Sequence, residues 1–198
     1  MTEKIVGRPR QTTHDEIRQV AIDLFIARGY AATSLAEVAS AAGISRTTLF
    51  AYFPAKRDLL WADHDAAVAR ARATVDEAPR GPVIDLLVAG ILAASRYRIA
   101  EHAFFTLRWR VVRDDPELRA FASLRSDELL EIFVGAAVQR EPSVDPELIE
   151  NVARALMAVA SRATELWSAQ PTPTKDLDVF TAEKIAPLAR ALAPLLNP

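Results

Sequence analysis

The chain has 198 residues, 51% hydrophobic and 25% charged, with 24 basic against 26 acidic side chains, a formal net charge of -2 and no cysteine. This length buries a core without disulfides or a structural metal, and the lack of cysteine removes disulfides, iron-sulfur clusters, thiolate zinc sites and cysteine nucleophiles together. The longest uncharged apolar run, Leu86 to Ala94, is nine residues, a bilayer needs about 20, and the polar opening MTEKIVGRPRQTTHDE has no secretory core; the expectation is a soluble, cytoplasmic protein with no membrane contact.

Apolar residues recur at helical spacing and alternation at period 2 is absent, so the expected fold class is all-α, with about nine helices. Thr12 or Thr13 caps a first helix, His14 to Arg28, whose inner face reads Ile17, Val20, Ala21, Leu24 and Phe25, and Gly29 ends it. Thr33 or Ser34 caps a short second helix with a buried stripe of Leu35, Val38, Ala39 and Ala42, and Glu37 stands at the capping-box position of Ser34. Gly43 breaks the chain, Ile44 plugs the turn, and Ser45 caps a third helix from Arg46 to Phe53, ended by Pro54. A long helix is expected from Lys56 to about Ala78, before the break at Pro79, Gly81 and Pro82. Further helices run from Pro82 to about Ile99, from Asp115-Pro116 to about Arg140, from Asp145-Pro146 to near Ala169, and from about Asp176 to Leu195 with Pro187 inside; an arginine-aromatic segment, Glu101 to Arg113, falls between the first two.

Residues 33 to 53, TSLAEVASAAGISRTTLFAYF, have the form of a helix-turn-helix. Leu35, Val38, Ala39, Ile44, Leu49 and Phe53 form its inner side, and Gly43 allows a positive φ. Arg46, Thr47, Thr48, Phe50 and Tyr52 remain outside, a basic, hydroxylic and aromatic surface suited to phosphates, base edges and thymine methyls. The alternative is a generic amphipathic helical hairpin. Residues 1 to 58 carry eight basic against six acidic groups and the remainder 16 against 20, a split that fits a front end meeting a polyanion.

The stretch from Ile17 to Leu60, with the order FxxxGYxxTSLxxVAxxAGISxxTLFxYFxxKxxLL, closely resembles the N-terminal domain of TetR-type transcriptional regulators. The resemblance implies a DNA-binding domain over 1–58 and a helical effector-binding and dimerisation domain over 59–198. It places Arg46, Thr47, Thr48 and Tyr52 at base edges and phosphates, Thr33 and Ser34 at the DNA backbone, and Lys56 at a phosphate near the start of the next helix. Phe50 stands where the family commonly has tyrosine, which leaves either a packing contact on DNA or an inward core position. Arg8 and Arg10, in the arm Gly7-Arg8-Pro9-Arg10, either enter the adjacent minor groove or form a solvated tail.

Phe104, Phe105, Trp109, Phe121 and Met157, with Arg108 and Arg113, are the candidate ligand-binding residues of the second domain. Each apolar one is either pocket or plain core, and each arginine either meets an anionic ligand group or is solvated or paired with acids such as Glu101 and Asp114. The WRxVxxDPELxA stretch and Trp61 resemble, loosely, the subgroup of these regulators with acyl-coenzyme-A-like ligands. The implied protein is a repressor released from a palindromic double-stranded operator by a small apolar or acyl-CoA-like effector. A homodimer is expected through the last two helices, with Val152, Leu156, Val159 and Leu166 on one and Leu177, Phe180, Ile185, Leu188, Leu192 and Leu195 on the other. The rival readings are a helical small-molecule-binding protein that no longer reads DNA and a helical enzyme. Enzyme motifs are lacking: His14, His64 and His102 are far apart, no GxGxxG, GxxxxGK[ST] or GxSxG occurs, and neither a metal nor a cofactor is expected.

Overall fold

The computed structural model describes residues 13–196, and among these every regular element is helical. In chain order they are α1 (His14–Arg28), α2 (Leu35–Ala41), α3 (Arg46–Tyr52), α4 (Asp58–Trp61), α5 (His64–Asp76), α6 (Val83–Ala94), α7 (His102–Asp114), α8 (Pro116–Arg140), α9 (Pro146–Ser168) and α10 (Leu177–Leu192), with 3-10 turns at Ile99–Glu101 and Ala193–Leu196. The chain divides between Leu60 and Trp61 into two compact units. Arg8 and Arg10 lie outside the described residues.

Local chemistry sets the first unit. Thr13 and Glu16 close a capping box on α1, Ser34 and Glu37 close another on α2, and the Ser45 hydroxyl accepts from the Thr48 N–H at 3.0 Å to start α3. The helices stop at glycines held at φ 89° (Gly29) and 68° (Gly43), where a side chain is disfavoured. Ile17, Ala21, Ile22, Phe25, Val38, Ala39, Leu49, Phe53, Leu59 and Leu60 form the buried interior. The inner face of α1 is rotated from the expected one: Val20 and Leu24 are half-buried, while Ile22 and Arg18 are buried. Leu35 and Ala42 are likewise only half-buried. The Arg18 Nε donates to the Leu59 carbonyl at 3.2 Å, and its guanidinium lies 3.7 Å from Asp15, which is how a buried cation is tolerated.

The long helix expected from Lys56 to Ala78 is instead two, α4 and α5, interrupted at Ala62-Asp63. Neither residue is a breaker, so periodicity runs through the gap and gives no warning. In the second unit α6 is the central element, packed on α5, α8, α9 and α10, with Val83, Ile84, Leu86, Leu87 and Ile91 buried. It ends at Ala94, short of the expected Ile99, where the Ser95 hydroxyl donates back to the Ile91 carbonyl. Gly90 sits where an added Cβ would stand 2.7 Å from the Phe133 ring and 2.9 Å from Val75, so the α6–α8 approach requires glycine. Helix α10 runs on past Pro187 to Leu192.

The apolar inventory of α9 and α10 also differs from expectation. Val152, Leu156, Leu177 and Ile185, expected on a surface shared between two copies, are buried within this chain's own core. The exposed large apolar residues of the two helices are Leu166 and Val179, with Leu195 in the turn that follows. Among the described residues no helix is long and apolar enough to cross a membrane.

Candidate functional site

In the helix-turn-helix, α3 turns Leu49 inward, with Phe53 just after it, and leaves Arg46, Thr47, Thr48 and Phe50 exposed. Phe50, at 43% exposure, is on the outer face and not in the core. Tyr52 is half-buried because its ring packs edge-on against His14 at 4.4 Å. The Thr48 hydroxyl pairs with that of Ser45 at 2.8 Å, which fixes the rotamer it presents. Ser34 is exposed at the start of α2, where its N–H and hydroxyl both donate to Glu37 at 2.8 Å. These bonds, with the Arg28 charge, hold the Glu37 carboxyl below the usual carboxylate range. Arg28, 2.9 Å from Glu37, ties the end of α1 to α2.

Two of the residues placed on DNA by resemblance have inward partners. Thr33 is 1% exposed, and its hydroxyl donates to the Gly29 carbonyl at 2.9 Å, so its side chain closes the α1–α2 loop and does not face outward. The Lys56 ammonium donates to the Tyr30 and Thr33 carbonyls at 2.6 and 2.9 Å and lies 4.1 Å from the Tyr30 ring centre. Its charge is directed at the same loop, because the residues it anchors stand on the far side of the motif in sequence but beside it in space.

A cavity of about 220 Å³ opens in the second unit, lined by residues from α5 to α10 that include Phe105, Arg108, Trp109 and Met157. Phe105, Arg108 and Trp109 share one face of α7 through their i, i+3 and i+4 spacing; Phe105 and Trp109 stack at 6.4 Å. Phe104, one residue off that face, is outside the lining. Phe121 is outside it too, packed edge-on against Trp61 at 5.0 Å. Arg113, in the last turn of α7, is exposed and bonded to Asp114 at 3.1 Å, so it faces water instead of the cavity.

The lining adds residues that sequence alone did not single out, above all Tyr97, His64 and Arg125. Arg108 rests 4.7 Å over the Phe105 ring and 3.7 Å from Asp63. Arg125 binds Asp65 at 2.8 Å and Glu128 at 3.0 Å, while its buried Nε has no acceptor. His64, on the first turn of α5, lies 3.4 Å from Glu128. Burial, then the nearby Arg125 charge, hold the imidazole below its ordinary value against the opposing pull of Glu128. Asp63, His64 and Asp65 reach their partners from one short stretch, and that clustering was the only signal in the sequence. Among the described residues no group of His, Asp and Glu could hold a metal.

Residues 17–62 match the bacterial regulatory proteins of the tetR family, and residues 81–193 match the MftR C-terminal domain. A relative from Mycobacterium tuberculosis (strain ATCC 25618 / H37Rv), named as a mycofactocin biosynthesis transcriptional regulator, MftR, is 32% identical over 167 residues, which cover 83% of this chain and 84% of that one. The fold is similar to that of the regulator FadR from Bacillus subtilis in complex with stearoyl-CoA (TM-score 0.58, 16% identity, 93% of this chain and 100% of that one). It is also similar to Thermus thermophilus FadR, a TetR-family repressor in complex with lauroyl-CoA (TM-score 0.53, 20% identity, 94% of this chain and 96% of that one). Such regulators are not enzymes, and they bind DNA and small-molecule effectors, typically as dimers. With its capped helix-turn-helix and its helical second unit both matched, the chain belongs to the TetR family and is a ligand-responsive DNA-binding transcriptional regulator.

Proposed function

We propose that this regulator is a homodimeric repressor, acting in the cytoplasm, that holds a palindromic operator through α3 and releases it when an apolar, acyl-bearing effector occupies the cavity of the second unit. The observation that carries the reading is the division of labour on α3: Leu49 is buried, and Arg46, Thr47, Thr48 and Phe50 are exposed together. Arg46 can place its planar fork on guanine O6 and N7. Thr47, Thr48 and Tyr52 supply hydroxyls for phosphates or bases, Phe50 packs on a thymine methyl, and Ser34, exposed at the start of α2, reaches the backbone by turning its hydroxyl from Glu37 to a phosphate. Arg8 and Arg10 extend the contact into the minor groove. Residues 1–58 then act as the DNA-binding domain and 59–198 as the effector-binding and dimerisation domain. On this reading Thr33 and Lys56 keep the α1–α2 loop in shape through their inward bonds.

The cavity favours an apolar body with one polar end. Phe105, Trp109 and Met157 receive the body. Arg108 and Arg125 are already balanced by Asp63, Asp65 and Glu128, so the site does not demand a bare anion; the Arg125 Nε instead suits a neutral carbonyl oxygen of the effector. Acyl thioesters have this form, as do the ligands named for the two FadR proteins. Two recognition helices enter successive major grooves only when about 34 to 36 Å apart. Occupation of the cavity shifts the population towards a spacing that no longer fits. Gel-shift titration tests the whole: the protein retards its operator, and saturated acyl-CoA lowers that affinity at least several-fold. Full retention of operator affinity with every acyl thioester and free acid overturns the effector reading.

A further inference from the structure

Beside the cavity lies a second one, of about 250 Å³, between α8 and α9. Ser126, Met157 and Ser161 line both. Met157 and Ser161 are one helical turn apart on α9 and so share a face, and Ser126 stands on α8. What the two spaces have in common is therefore one long thioether side chain and two small hydroxyls. Met157 is only half-buried, and an unbranched side chain with three rotatable bonds yields more readily than a branched or aromatic one. On the far side, Leu130 and Ala158 offer apolar surface, and Arg154, paired with Asp127 at 3.7 Å and Glu150 at 2.8 Å, closes the rim with charge.

We propose that Met157 is a displaceable partition that sets the length of effector the regulator accepts: short apolar chains fill the inner cavity alone, and longer ones turn Met157 aside and run between α8 and α9 as far as the Arg154–Asp127 pair. This rests on the reading of the inner cavity as the site of an apolar effector. The second space, a groove edged by the exposed Ser126, Asp127, Arg154, Ala158 and Ser161, is about as large as the first, and Met157 is the bulkiest side chain that the two share.

The test is calorimetric titration of the full-length protein with straight-chain saturated acyl-CoA thioesters from butyryl to stearoyl, and with the matching free acids. Each methylene that finds apolar room tightens binding about fourfold. Wild type should gain affinity with length up to a break, where the cost of displacing Met157 enters, and then resume. Met157→Ala should remove the break and bind the longer members tighter by tenfold or more; Met157→Trp should end the gain at shorter chains; Met157→Leu, of like volume but branched and so less yielding, should bind the short members as wild type does and deepen the break for the longer ones. Circular dichroism melts establish that each variant is folded. If the ligands bind but all four proteins share one length profile, the partition is wrong while the effector site stands. If neither series binds wild type, the effector reading fails and the partition with it.

Discussion

An ammonium that donates to two backbone carbonyls, as Lys56 does to Tyr30 and Thr33, is held by bonds worth about 1.5 to 3 kcal/mol each when the donor is charged. Lys56→Ala removes the donor from both carbonyls, and water entering the space it leaves recovers part of that loss. The expected outcome is a fall of about 2 kcal/mol in stability measured by urea denaturation, with a salt slope of operator binding unchanged from wild type. A slope reduced by about one unit with stability intact would make Lys56 a phosphate contact after all. The motif FxxxGYxxTSLxxVAxxAGISxxTLFxYFxxKxxLL placed these residues in the right neighbourhood, but the partners of Lys56 are loop carbonyls 23 and 26 residues back, and no periodicity reports them. His64 behaves in the same way. Its folded-state value lies below the ordinary 6.5, so the unfolded chain binds a proton more readily, and stability falls as pH drops from about 6.5 towards the folded value. Above pH 6.5 the contribution is constant. Melting temperature should therefore decline on acidification across that window, and His64→Gln should flatten the decline; an identical slope in the variant would mean that other groups titrate there.

Helix starts and stops in the first unit are written locally: Ser34 and Glu37 are three apart, Ser45 precedes α3, and Gly29 and Gly43 are the residues at positive φ among those described. Those features are legible because the interacting atoms are neighbours in sequence. The division between α4 and α5 is not, because Ala62 and Asp63 are ordinary helix residues and packing decides the break. The cavity has the same origin. Phe105 and Trp109 could be read as one stripe of α7, but Arg125 reaches Asp65 across 60 positions, and only the folded chain brings them together. Gly90 is an element-scale case of the same kind: it reads as a weak spot in α6, and its reason is the Phe133 ring on α8. Gly90→Ala gains about 1 kcal/mol of helix propensity but forces the ring and Val75 to move, an overpacking cost of about 1 to 3 kcal/mol. Denaturation midpoints should show net destabilisation, whereas a stabilised variant would mean that α6 and α8 separate easily.

At the scale of the whole molecule, the apolar content of α9 and α10 divides by burial, with Val159, Phe180, Leu188 and Leu192 half-buried against the core. Val152, Leu156 and Ile185 belong to the interior, and Leu166, Val179 and Leu195 remain exposed. A smaller apolar surface than the helical pattern suggested is left for a second copy. Sedimentation at micromolar concentration should show a dimer for wild type and a monomer for the double change Leu166→Arg and Val179→Arg, with operator affinity lost because a monomer holds one half-site. A double variant that remains dimeric would move the interface elsewhere.

The most direct measurement is equilibrium binding of the full chain to a palindrome recovered by selection from random DNA, for wild type and Arg46→Ala across a salt series. Wild-type affinity should fall steeply with salt, by about 0.9 in log affinity per log unit for each phosphate contacted. Arg46→Ala should keep nearly that slope and lose about 1 to 3 kcal/mol of preference at one base position in each half-site. Wild-type binding indifferent to salt, or an Arg46→Ala protein with affinity and base preference both intact, would contradict operator reading by α3.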